Sequence, residues 1–370
     1  MKTKAAVVYE TGKPIEIEEL DLDGPKDGEV LIRYTHAGLC HSDIHIAHGD
    51  LPARLPMVLG HEGAGIIEEV GPGVTRVKPG DHVVLSFIPN CGVCRYCATG
   101  RQSICDMGAT ILEGYLPGER FPMTGPRGDY GAMCMIGTFS QYGTISQTSV
   151  VKVDDDLPLE KAVLVGCGVP TGWGSAVNTA NVAPGDTVAI FGIGGIGINA
   201  VQGARYAGAK NVVAIDPLEN KREKAMELGA THAFATAEEA QAAIVDMTRG
   251  QGADSAILTV DLMTAEVVEA GFNTIGKGGT VVVTGLNKLE IPTVTISGSI
   301  LTLFRKSIKG SLFGDCNPTT DIPKILGLYQ AGDLKLDEII TRTYTLDEVN
   351  EGYDDLLAGK NVRGVIVHEH

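Results

Sequence analysis

Thr187-Val188-Ala189-Ile190-Phe191-Gly192-Ile193-Gly194-Gly195-Ile196-Gly197 joins five strand-forming residues to a glycine-rich turn. The run Thr187–Phe191 reads as a buried strand, and Gly194–Gly208 as a helix of small residues opened by the turn. Glycines there permit a tight turn and let the backbone and a helix N-terminus approach a pyrophosphate. A second strand, Asn211–Ile215, ends on Asp216, which stands 19 residues after Gly197. A carboxylate at that place can hydrogen-bond both ribose hydroxyls of adenosine and repels a 2′-phosphate, so NAD is expected rather than NADP. The expected contacts are Gly192, Gly194, Gly195, Ile196, Gly197 and Asp216, with Lys221 in reach of the same ribose. Two plainer readings stand beside this one: a strand-turn-helix without a ligand, and Asp216 as a helix N-cap.

Working outward, the alternation continues with a helix at 218–228, a strand near Ala233 and a helix at 237–248. A strand at 255–260, a helix at 264–275 and a strand at 280–284 follow. Strands alternating with helices of this length argue for βαβ units and a doubly wound parallel sheet. Before residue 153 the text differs: short β-like runs such as Glu29–Thr35, Gly65–Val70 and His82–Phe87 are broken by Gly and Pro. That half predicts an irregular, mostly β domain, with Gly108–Cys134 as a long surface loop. The final strand Gly364–Val367 is expected to rejoin it. The division is therefore 1–168 with 313–370, carrying a lobe at 91–105, and 169–312 for the nucleotide domain.

A chain of 370 residues suits two domains. Its 46 acidic against 30 basic residues leave a net charge of −16, which argues against nucleic acid as a partner. No stretch approaches the roughly 18 apolar residues of a membrane span, and Ala5–Val8 is too short for a signal-peptide core, so a cytoplasmic protein is expected.

Eight cysteines in such a compartment point to metal rather than disulfides, and four of them lie within fifteen residues. Cys91, Cys94, Cys97 and Cys105 can close a tetrahedron of thiolates around zinc with no open position, a structural site. An iron–sulfur cluster is the rival ligand for four thiolates. Cys40, His61 and Cys167 are dispersed, and each alone has a plain reading as a buried small residue or a satisfied histidine.

Gly38-Leu39-Cys40-His41-Ser42-Asp43, Gly60-His61-Glu62-Gly63-Ala64-Gly65, Gly166-Cys167-Gly168 and Asn361-Val362-Arg363-Gly364 change that balance. With the four-cysteine lobe and the glycine turn, they resemble the zinc-containing medium-chain alcohol dehydrogenases over essentially the whole chain. The resemblance implies a GroES-like, mostly β catalytic domain beside a Rossmann coenzyme domain. It also implies two zinc ions per chain. Cys40, His61 and Cys167 would be the catalytic ligands, with Glu62 as an alternative carboxylate and Asp43 orienting the histidine. Ser42 and His45 correspond to a proton relay, His41 and Arg363 to pyrophosphate contacts, Thr171 to a nicotinamide contact and Phe87 to a pocket wall. The expected reaction is reversible oxidation of an alcohol to an aldehyde or ketone.

Within that family, the runs Gly49–Pro56, Gly172-Trp173-Gly174-Ser175-Ala176-Val177-Asn178 and Gly310-Ser311-Leu312-Phe313-Gly314 resemble the nicotinoprotein, dimethylnitrosoaniline-dependent branch. That implies NAD(H) held as a prosthetic group and renewed by a second substrate or an external electron acceptor. An ordinary dehydrogenase with dissociable NAD, for alcohol or formaldehyde, is the alternative; a non-catalytic dinucleotide-binding scaffold is the remote one. A homodimer or homotetramer is expected by resemblance. Two departures stand out. Pro170 replaces a small hydroxyl residue, and Ala109 occupies the place of an arginine used by glutathione-linked formaldehyde dehydrogenases.

Overall fold

The computed structural model describes residues 1–288, 291 and 294–370. The chain forms two compact units, Met1–Cys167 with Asn317–His370, and Gly168–Cys316.

In the second unit the strand Thr187–Phe191 is buried at every residue, as an apolar run with no polar alternation requires of a strand covered on both faces. It lies within a six-stranded, wholly parallel sheet. Across that sheet the order is His232–Phe234, Asn211–Ile215, Thr187–Phe191, Ala253–Leu258, Ile275–Val283 and Ser307–Gly310. The order reverses beside Thr187–Phe191, which is the switch point of a doubly wound sheet. Phe191, Val213, Leu258, Val268 and Phe272 belong to its core. The helix after the glycine turn begins at Gly197, later than Gly194, because Gly192 turns the chain with φ of 85°.

Two runs far apart in sequence meet inside this unit. The helix Gly168–Gly174 passes into a π-helical turn, Ser175–Thr179. A Cβ on Gly174 would overlap the Gly314 carbonyl. Asn178 donates to that same carbonyl at 3.0 Å, and the Ser175 and Ser311 hydroxyls lie 3.1 Å apart. These bonds keep residues 311–316 with the second unit, so the chain leaves it after Cys316, later than residue 312.

The first unit holds a closed five-stranded barrel and a larger, mostly antiparallel sheet. In that sheet the strand Arg363–Val367 pairs with Glu29–Gly38 on one side and Ile340–Tyr344 on the other, which is how the C-terminal segment joins the N-terminal one. The segment Gly108–Cys134 is not a simple surface loop. It contains the hairpin Met123–Gly125 with Gly128–Ala132, whose strands pair with Glu16–Leu22 and Met57–Val58 and complete the barrel. Leu116, Met123, Tyr130 and Met133 are buried there. Strands of three and five residues are too short to show a period against their Gly and Pro background. Among the described residues no helix is long and apolar enough to cross a membrane.

Candidate active site and metal centres

Cys40 lies two residues past the strand Glu29–Gly38, at the N-cap position of the helix His41–His48, which closes at Gly49 with φ of 82°. His61 and Glu62 follow Gly60, where a Cβ would meet the backbone of Phe139. Cys167 follows the short turn Val163–Gly166. One ligand atom from each of Cys40, His61, Glu62 and Cys167 lies within 4.8 Å of the others, and all four residues are buried. Asp43, itself fully buried, accepts from the Gly60 amide at 2.9 Å and lies 3.2 Å from His61 Nδ1 through the same oxygen. That bond puts the hydrogen on Nδ1 and the lone pair on Nε2. His61 Nε2 is buried and makes no hydrogen bond. A buried ring nitrogen left without a partner is costly whether it carries a lone pair or a proton, and a metal ion is the partner that the surrounding donors suit.

The electrostatics agree. Burial opposes a charged His61, but Asp43 and Cys40 outweigh it and hold its pKa well above the usual histidine value. A field that favours a proton on Nε2 also favours a cation there. A hydrogen bond from Cys167 holds Cys40 well below the ordinary thiol range, while Cys167, the other partner, is pushed well above it. The two sulfurs thus share one proton, which metal binding would release. Burial pushes Glu62 up to about 7 even though Arg363 is ion-paired with it. Gly38 makes room for that buried pair, since a Cβ there would strike both side chains.

Around this cluster, Ser42 Oγ stands 3.8 Å from Cys40 Sγ. His45, three residues on and therefore on the same helix face, has its Nδ1 3.1 Å from Asp50. His41 is the first residue of that helix. The Phe87 ring meets His61 edge-on at 5.8 Å between centroids, an apolar wall beside the imidazole.

Cys91, Cys94, Cys97 and Cys105 form the second cluster, their sulfurs also within 4.8 Å of one another. The Cys94 amide donates to Cys91 Sγ at 3.3 Å and the Cys97 amide to Cys94 Sγ at 3.4 Å, bonds that orient thiolate ligands. All eight cysteines are free of disulfides. The half-buried Arg76 lies beside three of the four sulfurs and donates to the carbonyls of Asn90 and Thr148. Its charge offsets part of the excess negative charge of four thiolates around one Zn²⁺.

The glycine turn, Asp216, Lys221 and Thr171 belong to the second unit. Asp216 accepts from the Ile193 amide at 2.7 Å and the Leu218 amide at 2.9 Å, tying the turn to the end of the neighbouring strand. It is not a helix cap: Leu218 is the N-cap of Glu219–Glu227. Gly197 must be glycine because a Cβ would overlap the Gly192 carbonyl, whereas nothing lies within 4 Å of a Cβ on Gly194. Lys221 is on the helix Glu219–Glu227. Its neighbour Arg222, which no motif marks, donates to the carbonyls of Asp216 and Pro217 at 2.8 Å each. Thr171 is buried in Gly168–Gly174, its carbonyl accepting from Ser175 at 2.6 Å. Pro170 sits in the first turn of that helix, where a missing N–H costs least.

Residues 26–155 match the alcohol dehydrogenase GroES-like domain family, and residues 195–331 match the zinc-binding dehydrogenase family. An NDMA-dependent alcohol dehydrogenase of Amycolatopsis methanolica is 65% identical over 100% of this chain and 99% of its own length. A zinc-binding-domain alcohol dehydrogenase protein from Burkholderia ambifaria superposes with a TM-score of 0.94 at 33% identity, covering all of both chains. Benzyl alcohol dehydrogenase from Acinetobacter calcoaceticus superposes with a TM-score of 0.93 at 31% identity, again over all of both chains.

Proposed function

The chain belongs to the zinc-containing medium-chain alcohol dehydrogenases, and from that premise we propose that it oxidises a primary or secondary alcohol, reversibly, with NAD(H) that stays bound between turnovers. The observation that carries the chemistry is the buried set Cys40, His61, Glu62 and Cys167 with His61 Nε2 lacking a hydrogen bond. Two thiolates would cancel the charge of one Zn²⁺ and Glu62 cancels Arg363, which leaves the Asp43 carboxylate, bonded to His61, as the remaining buried charge. Zinc held by Cys40, His61 and Cys167, with Glu62 as the alternative carboxylate, would supply a Lewis acid, and NAD would supply the hydride acceptor. Asp43 fixes the His61 tautomer and ring, and Phe87 excludes water on one side. Ser42 would take up the alcohol proton as it gives up its own toward His45, which Asp50 steadies and from which the proton would pass to solvent. Within the second unit, Asp216, Lys221 and the turn at 192–197 would hold the adenosine and pyrophosphate, and Thr171 would meet the nicotinamide.

Retention of NAD is supported by the likeness to the dimethylnitrosoaniline-dependent branch, and by the name and 65% identity of the Amycolatopsis relative. A cofactor that stays bound must be reoxidised in place by an aldehyde or an external acceptor. The test is an absorbance and fluorescence spectrum of extensively dialysed protein before and after a primary alcohol. A reduced-nicotinamide band that grows without added NAD supports retention. A spectrum that responds only once NAD is supplied would return the protein to dehydrogenases with dissociable cofactor. Ala109 speaks against a glutathione-linked substrate. Thiols that must stay reduced to hold zinc fit the cytoplasm. Assembly with a second copy is supported by the edge strand Ser307–Gly310 and the exposed apolar side chains Leu303, Phe304 and Leu312 near it in sequence.

A further inference from the structure

We infer that Tyr353 is a positioning residue for the catalytic zinc, acting through Asp43 on the ligand His61; this rests on the zinc reading above. Tyr353 lies in the helix Val349–Leu357, whose entry is fixed by a capping box between Thr345 and Glu348. It is 3% exposed, and its ring packs against Phe139 with centroids 6.2 Å apart. One residue earlier, Gly352 lets the helix press on Leu39, the neighbour of Cys40, because a Cβ there would overlap the Leu39 side chain. The helix is therefore seated directly behind the metal cluster.

The chemistry at its buried end is specific. Asp43 uses one oxygen twice, for the Gly60 amide and His61 Nδ1, and its other oxygen, Oδ2, makes no hydrogen bond. Tyr353 Oη likewise makes none. The two groups face each other closely enough for the Asp43 carboxylate to act on the hydroxyl. Burial, with that carboxylate beside it, holds the phenol pKa far above its usual value, so Tyr353 remains a donor. A phenol donor and a carboxylate acceptor, each buried and each short of a partner, are the groups that can satisfy one another there. That bond anchors the plane of the Asp43 carboxylate and keeps its first oxygen on His61. Phenylalanine would fill the same space and leave Oδ2 buried and alone.

The test compares Tyr353→Phe, Asp43→Asn and the double variant in the full-length protein. Zinc release to a colorimetric chelator is followed at both metal sites, and the visible spectrum is recorded after cobalt(II) replaces the catalytic zinc. Tyr353→Phe is expected to release the catalytic metal about tenfold faster, with a shifted cobalt band, while the four-cysteine site releases at the wild-type rate. In the Asp43→Asn background, the tyrosine change should add nothing. An unchanged half-life and spectrum in Tyr353→Phe would overturn the inference. So would faster release from both sites alike, or an effect that multiplies with that of Asp43→Asn. If the wild-type protein fails to hold two metals, the zinc reading itself falls, and that outcome is recognised before any variant is made.

Discussion

At the scale of single residues, the site is a set of buried polar groups, each with one acceptable partner. Ser42→Ala removes the hydroxyl beside Cys40 without touching a ligand. It should lower alcohol turnover by about 10²–10⁴-fold and leave metal content unchanged, as steady-state rates beside zinc analysis would reveal. Cys40→Ser should instead lose the catalytic zinc and the activity together. Away from the site, His368 Nε2 donates to the Thr138 carbonyl at 2.9 Å, and burial pushes its pKa down to about 3 from the ordinary 6.5. The unfolded chain therefore takes up this proton first. The contribution to stability is complete above about pH 6.5 and is lost as pH falls toward about 3. Urea unfolding at pH 7 and pH 4.5 should show that loss in the wild type and a smaller one in His368→Gln. Asp43 as partner of His61 was legible from a motif, whereas Tyr353 was not. Nothing in its local sequence separates a buried tyrosine that fills space from one that donates to a carboxylate.

Elements tell a different story, because their legibility depends on length and contrast. Five of the six parallel strands were readable from apolar runs between helices, with boundaries displaced by a few residues, whereas the short edge strand Ser307–Gly310 was not. The hairpin within 108–134 was not, since three- and five-residue strands rely on the barrel they complete for their pattern. The runs at 172–178 and 310–314 were noticed only as a likeness; their packing explains Gly172, Gly174 and Gly314, where a Cβ would overlap a backbone carbonyl. Gly174→Ala drives a methyl into the Gly314 carbonyl. It should cost about 1–3 kcal/mol in denaturant unfolding of the protein, and spectra will show whether bound nicotinamide is lost with it. In the cysteine lobe, Cys97→Ser should reduce zinc to about one per chain by metal analysis and expose 91–105 to limited proteolysis.

For the whole molecule, the open question is assembly. The strand Ser307–Gly310 ends the parallel sheet, and Leu303, 77% exposed, lies just before it in sequence. If a second copy covers this edge, Leu303→Asp should shift sedimentation toward the monomer while the zinc content stays at two per chain. Unchanged sedimentation would place the contact elsewhere or remove it.

Along the chain, sequence alone determined whatever depends on near neighbours. The strand-turn-helix at 187–208 and the four thiols between 91 and 105 sit at spacings a short segment can present by itself. Tertiary structure decided what depends on distant partners. Glu62 and Arg363 meet across 301 residues because the strand Arg363–Val367 pairs with Glu29–Gly38. Asp43 and Tyr353 face one another because Gly352 lets a C-terminal helix close on Leu39. Burial then turns those meetings into chemistry, since a charge or a lone pair far from water must find its partner among the side chains that the fold brings to it.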